Sequence, residues 1–166
     1  KTFGDADFIL SAASSSGLPV TFSSSDQSTA WISGNTVHIA GAGTTVITAS
    51  QAGNNLYYPA IDVTYTLVVK KADQKITFNS LPDLKYGDLD VLLNSSASSG
   101  LSVVFSSTNP DIAEISGTVL KINGAGSTTI TASQPGDNNF NAAPDITIPL
   151  VISKADQEID FPDPGT

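Results

Sequence analysis

Short sequence words return at one fixed interval along this chain of 166 residues, and the interval never slips. Gly4-Asp5 returns as Gly87-Asp88, Gly17-Leu18 as Gly100-Leu101, Ile32-Ser33-Gly34 as Ile115-Ser116-Gly117, and Gly41-Ala42-Gly43 as Gly124-Ala125-Gly126. Ala72-Asp73-Gln74 returns as Ala155-Asp156-Gln157, and every pair lies 83 residues apart. Self-similarity of this kind marks a tandem architecture in which each copy is one structural unit. Lys71 to Phe78 opens the second copy, so Lys154 to Phe161 is expected to open a third that is cut short. The first copy starts at Lys1 without such an opening strand. The expected divisions are residues 1–70, 71–153 and 154–166, a window from a longer array.

Within a copy, segments rich in Val, Ile, Thr and aromatics are broken by Gly, Pro, Asn and Ser at intervals of about 8 to 12 residues, as in sandwiches and barrels. No stretch holds helical periodicity for the ~10 residues a helix assignment needs. In the second copy the pattern predicts strands over residues 75–78, 91–95, 101–106, 112–115, 118–122, 127–133 and 145–153. Seven strands in about 80 residues is immunoglobulin-like, so the expected fold is all-β, with two tandem sandwiches.

Aligning the copies separates buried from exposed positions, because side chains alternate along a strand and solvent positions vary freely. Val20-Thr21-Phe22 against Val103-Val104-Phe105 keeps its outer residues, which points Val20, Phe22, Val103 and Phe105 inward. Ile47 and Ala49 match Ile130 and Ala132. Val63, Tyr65, Leu67 and Val69 match Ile146, Ile148, Leu150 and Ile152, the longest expected core stripe. Pro149, on the other face, lacks an N–H and implies an edge or bulge.

Composition narrows the function. The net charge of −9, with 7 basic residues, none of them Arg, against 16 acidic ones, opposes nucleic acid and anionic membrane partners, which require basic surfaces. No apolar run approaches the ~20 residues of a spanning helix. The absence of Cys removes disulfides, thiolate metal sites and a cysteine nucleophile. His38, the single His, alternates with Val37 and Ile39 and is expected to be solvated rather than part of a triad. Nothing places paired carboxylates about a cleft, so the chain does not read as an enzyme.

Ser106-Ser107-Thr108-Asn109-Pro110-Asp111-Ile112-Ala113-Glu114-Ile115-Ser116-Gly117, followed by Gly124 to Ala132, resembles the bacterial immunoglobulin-like repeats. The Lys-Ala-Asp-Gln openings and Tyr86-Gly87-Asp88 resemble the MBG variety, which occurs in tandem in large secreted and cell-surface adhesin proteins. The resemblance implies an extracellular or surface-exposed stalk segment whose immediate partners are neighbouring repeats of the same polypeptide. In the first copy Asp26-Gln27-Ser28-Thr29 departs from the Asn-Pro turn, leaving that loop's shape less secure.

Three sets of residues stand out as candidate sites. Trp31, opposite Glu114, lies between Ala30 and Ile32, which alternation would bury, so its indole is expected outside as a platform for a glycan or a protein; packing on a neighbour is the plainer alternative. Tyr58 would extend that platform if its loop approached, whereas Tyr57, replaced by Phe140, is expected to anchor its loop in the core. Asp5/Asp7 and Asp88/Asp90 each place two carboxylates on one side of an extended segment, where calcium would find part of its six to eight oxygens; a turn cap is the plainer alternative. Lastly, the cut ends invite strand addition: Ile159 and Phe161 of one molecule would enter the first copy of another, giving head-to-tail self-association and an open filament.

Overall fold

The computed structural model describes residues 1–161, all β-strand, turn and loop. Residues 162–166 of the expected third copy lie outside the described residues. The chain divides into two compact units: Lys1–Gln74 with Gly136–Ala142, and Lys75–Pro135 with Ala143 onward.

Unit 1 holds β1 (Phe8–Ile9), β2 (Thr21–Ser24), β3 (Ala30–Ser33), β4 (Thr36–Ile39), β5 (Gly43–Ser50) and β6 (Val63–Val69). They form two sheets, β1-β4-β3 and β2-β5-β6. Ala30, Val37, Ile47, Leu67 and Val69, drawn from both sheets, make one buried cluster with Phe3, Phe8 and Ile32 packed against it, as in a β-sandwich.

Unit 2 holds β7 (Ile76–Phe78), β8 (Leu84–Lys85), β9 (Val91–Leu92), β10 (Ser95–Ala97), β11 (Val104–Ser107), β12 (Ala113–Ser116), β13 (Val119–Ile122), β14 (Gly126–Ser133) and β15 (Ile146–Ser153). Its sheets are β10-β7, β11-β14-β15-β8 and β12-β13-β9. The run predicted over residues 91–95 is two strands, and β8 went unpredicted: two residues in parallel register with Ile152 and Ser153 leave no periodicity to detect. Pro149 lies on β15 where only β14 flanks it, so its missing N–H faces an open edge.

Pairing in the two units coincides after the 83-residue shift. Phe22 faces Ala49 and Phe105 faces Ala132; Ala30 faces Ile39 and Ala113 faces Ile122; Gly43 faces Val69 and Gly126 faces Ile152. Even the bridge of Thr2 to Lys70 has its match in Lys85 with Ser153.

The Gly-Ala-Gly word has a steric cause. A Cβ on Gly41 would stand 2.7 Å from the Ser28 carbonyl oxygen, and one on Gly124 would stand 2.8 Å from that of Asp111. The loop before β3 and β12 presses on this backbone, and only glycine leaves room. The loop expected to be insecure is formed alike in both units: Ala30 N–H donates to the Asp26 carbonyl and Ala113 N–H to that of Asn109, each at 3.1 Å. Asp26 compensates for the missing proline by accepting from Ser28 N, Ser28 Oγ and Thr29 Oγ1 at 2.9, 2.6 and 2.8 Å.

A pair of buried hydroxyls fixes the same loops. Thr45 Oγ1 lies 2.8 Å from Ser24 Oγ and accepts from Asp26 N at 2.9 Å. Thr128 Oγ1 lies 2.9 Å from Ser107 Oγ and accepts from Asn109 N at 3.0 Å.

Two expectations about the first copy need correction. Val63 and Tyr65 do not extend the core stripe: they are 69% and 67% exposed, whereas Ile146 and Ile148 are half-buried. In unit 2, Ile76, Ala132 and Ala143 cluster with Phe78 and Ile146, so strand β7 supplies the cover that Val63 lacks. Tyr57 is not a core anchor either, being half exposed, while its counterpart Phe140 sets its ring edge-on to Phe3 at 5.4 Å.

Candidate functional site

The outer face of β3 and β4 carries the one cluster in which an aromatic, an imidazole and a carboxylate meet. Trp31 and His38 are directly opposed across the antiparallel pair. Opposed side chains on one face stand about 4.5–5.5 Å apart at Cβ, close enough for two rings to overlap. The rings stack with centroids 3.7 Å apart and planes 15° from parallel. Asp7, just before β1, holds the imidazole from the other side, with its Oδ2 2.6 Å from Nδ1. His38 is therefore not freely solvated as expected: its ring is covered by indole and its edge is tied to a carboxylate. In unit 2 the same cross-strand position holds Glu114 opposite Lys121, an ordinary pairing of opposite charges.

Stacking leaves the outer indole face turned to solvent, and Trp31 is 44% exposed. A flat, rigid aromatic face of this kind can take the C–H face of a sugar ring or an apolar side chain. Asp7 fixes the edge of the imidazole whose face stacks on the indole.

Tyr58 is 95% exposed on the loop between β5 and β6, and no ring contact joins it to Trp31 among the described residues. Three of the four aspartates are engaged, each with its own partner. Asp5 Oδ2 accepts from Thr2 N at 2.9 Å and Asp88 Oδ2 from Lys85 N at 2.8 Å, each capping its own turn. Asp7 is taken by His38, and Asp90 is exposed. Among the described residues there is no group of three or more His, Asp or Glu side chains placed to share a metal ion. Ile159 and Phe161 are 93% and 82% exposed. Among the described residues no helix is long and apolar enough to cross a membrane.

The buried Thr45 and Thr128 hydroxyls escaped sequence reading although a signal existed. Both are threonine at the shared interval and both lie in phase with Ile47 and Ala49, or Ile130 and Ala132, on the inward face. A polar residue kept on a buried stripe marks a hydrogen-bonding post.

No family model matches the chain, and no curated protein is similar to it. Among solved structures it is similar to the C-terminal 282-residue fragment of intimin in complex with the translocated intimin receptor (Tir) intimin-binding domain, at 22% identity over 80% of this chain, with a TM-score of 0.32. The chain spans 51% of that fragment's length, and a score this low carries no argument about function.

Proposed function

We propose that this chain is a spacer segment of a large bacterial surface or secreted adhesin, two immunoglobulin-like modules in series that project a distal domain. The observation that carries the reading is the coincidence of strand register at an interval of 83 residues, which is how repeated modules add length. The segment after β6 also lacks a Gly or Pro hinge from Val69 to Gln74. Within unit 1 it is held by Lys70 N to the Lys1 carbonyl and Ala72 N to the Asn139 carbonyl, both at 2.8 Å. The test is to display an epitope on concatemers of residues 71–153 and measure its height above the surface. A spacer adds a constant increment per copy; growth as the square root of copy number, the behaviour of a flexible coil, overturns the reading.

The Trp31–His38 stack favours a second reading, a carbohydrate- or protein-binding module. A glycan and protein binding screen of the wild type against Trp31→Ala decides it: binding lost with the indole supports adhesion, and no binding by either chain supports the spacer alone.

A further inference from the structure

The connection between β14 and β15 does not stay with the strands it joins. Its base belongs to unit 2, where Ala143 is buried and its N–H donates to the Gln134 carbonyl at 2.9 Å. Its tip, Gly136–Ala142, belongs to unit 1. A loop that merely links two neighbouring strands runs over the surface and gives its polar groups to water or to itself. Here unit 1 takes them.

Ala72 N donates to the Asn139 carbonyl and Asn141 N to the Ala72 carbonyl, each at 2.8 Å, which makes a parallel bridge between Ala72 and Phe140. Gln74 Nε2 donates to the Asn141 carbonyl at 2.7 Å and Lys71 Nζ to that of Asp137 at 2.6 Å. Two side chains of the tip add to these backbone contacts. Asn139 Oδ1 accepts from Ala42 N at 2.9 Å, and Asn141 Nδ2 donates to Asp73 Oδ1 at 2.7 Å. The seat is close: a Cβ on Gly41 would stand 3.3 Å from Asn139 Oδ1, and the Phe140 ring lies edge-on to Phe3.

The tip's shape and its contacts are set by different residues. Asp137 Oδ1 accepts from Asn139 N and Phe140 N, both at 2.8 Å, and Gly136 has a φ of 79°. The β5–β6 connection is built alike: Asn54 Oδ1 accepts from Leu56 N at 2.8 Å and from Tyr57 N at 3.0 Å, and Gly53 has a φ of 73°. The contact-making side chains are what differ, since Leu56 and Tyr58 stand 83 residues before Asn139 and Asn141. Leucine offers the Ala42 N–H no acceptor, and tyrosine carries its one hydroxyl a ring's length farther out than the asparagine amide.

We propose that the tip of the β14–β15 connection is a clasp that recognises unit 1 and stabilises it, with Asn139 and Asn141 as its specificity-determining residues. The backbone bonds accept any sequence that takes the loop's shape; the two amides do not. On the receiving side, Ala42 and Asp73 recur in the second copy as Ala125 and Asp156, so selection lies in the loop and not in its seat. A copy whose loop carries both asparagines stabilises the unit it clasps more than a copy with Leu and Tyr there, a nearest-neighbour coupling of the kind that holds repeat arrays together. The coupling is the same whether the chain serves as a spacer or as a binding module.

The full chain reports on the clasp, because Trp31 is its single tryptophan and lies in unit 1. Asn139→Leu/Asn141→Tyr installs the residues that the β5–β6 loop already carries in the same conformation, so the tip keeps its shape. The thermal midpoint followed by Trp31 fluorescence is expected to fall by about 5 °C or more, because the part-buried Ala42 N–H loses its acceptor and Asp73 its donor. Amide exchange should quicken at least about tenfold at Ala42, Ala72 and Asn141 while Ala143, at the loop's base, keeps its wild-type rate. Leu56→Asn/Tyr58→Asn, at two exposed positions, is the control and should stay within about 3 °C of wild type. An unchanged Trp31 transition overturns the proposal. Equal loss of protection at Ala143 also overturns it, since the variant then damages unit 2 instead of undocking the tip. Neither result bears on the spacer reading, which epitope height tests separately.

Discussion

Replacing Thr45 by Val keeps the shape of a buried side chain and deletes one oxygen. That oxygen is the acceptor for Asp26 N–H at 2.9 Å and a partner of Ser24 Oγ at 2.8 Å, and the residue is 1% exposed. Ser24 Oγ has a second acceptor in the Asp26 carbonyl at 3.2 Å, so it is not stranded. Among the described residues the backbone N–H of Asp26 has no second acceptor. Leaving this part-buried donor unpaired costs about 1–3 kcal/mol. For a unit of this size each kcal/mol is about 4–8 °C, so Thr45→Val should melt roughly 5–20 °C below wild type. Trp31 is the only tryptophan and lies in unit 1, so its fluorescence follows the relevant transition. Thr44→Val, one position away on an exposed threonine, is the control and should stay within about 0.5 kcal/mol of wild type. If Thr45→Val melts with Thr44→Val, the hydroxyl is not the post that fixes the loop, and the reasoning fails.

Further outcomes follow from other positions. Gly100 and Gly136 share a φ of 79°, but a Cβ on Gly100 meets nothing within 4 Å while one on Gly136 would stand 2.4 Å from the Phe140 carbonyl oxygen. Gly100→Ala should therefore cost only the left-handed penalty of about 1–2 kcal/mol, and Gly136→Ala clearly more, by denaturant titration. Asp26 is held below the ordinary carboxylate range, first by the Ser28 hydroxyl, then by the Thr29 hydroxyl and the Ser28 N–H, against a small opposing effect of desolvation. A folded pKa below the unfolded one gives stability that is complete above about pH 4 and lost as pH falls through the folded value. Asp26→Asn should thus be less stable than wild type at neutral pH, with the gap narrowing in acid melts. Because Asp5 and Asp88 cap their own turns, melting curves recorded with calcium and with chelator should coincide; a calcium-dependent rise would show that these carboxylates can be recruited to a metal.

The interval of 83 residues made much of the strand pairing legible, because alternation converts matched words into matched faces. Val20, Phe22, Val103 and Phe105 are half-buried while the intervening Thr21 and Val104 are exposed. Alternation failed at Val63 because burial of its counterpart Ile146 depends on a separate strand, which the pattern of one strand cannot report; Tyr65, 67% exposed, departs from the stripe as well. It also missed β8, whose two residues are too few for any period. At the candidate site, Trp31 could be placed on the outer face, but its partner could not. The stack on His38 depends on which residues of β3 and β4 stand opposite, and the brace from Asp7 crosses 31 positions in the sequence. The buried threonines were visible in principle and were overlooked among abundant exposed hydroxyls, since Ser and Thr fill about a quarter of the chain.

Pulling single molecules by their ends tests the modular account most directly. Two equivalent modules should give two unfolding events of nearly equal length, each releasing roughly 250 Å of chain from about 80 residues at ~3.3–3.6 Å per residue, less the folded span. One event releasing the length of the whole chain at once would mean a single cooperative body and would contradict it.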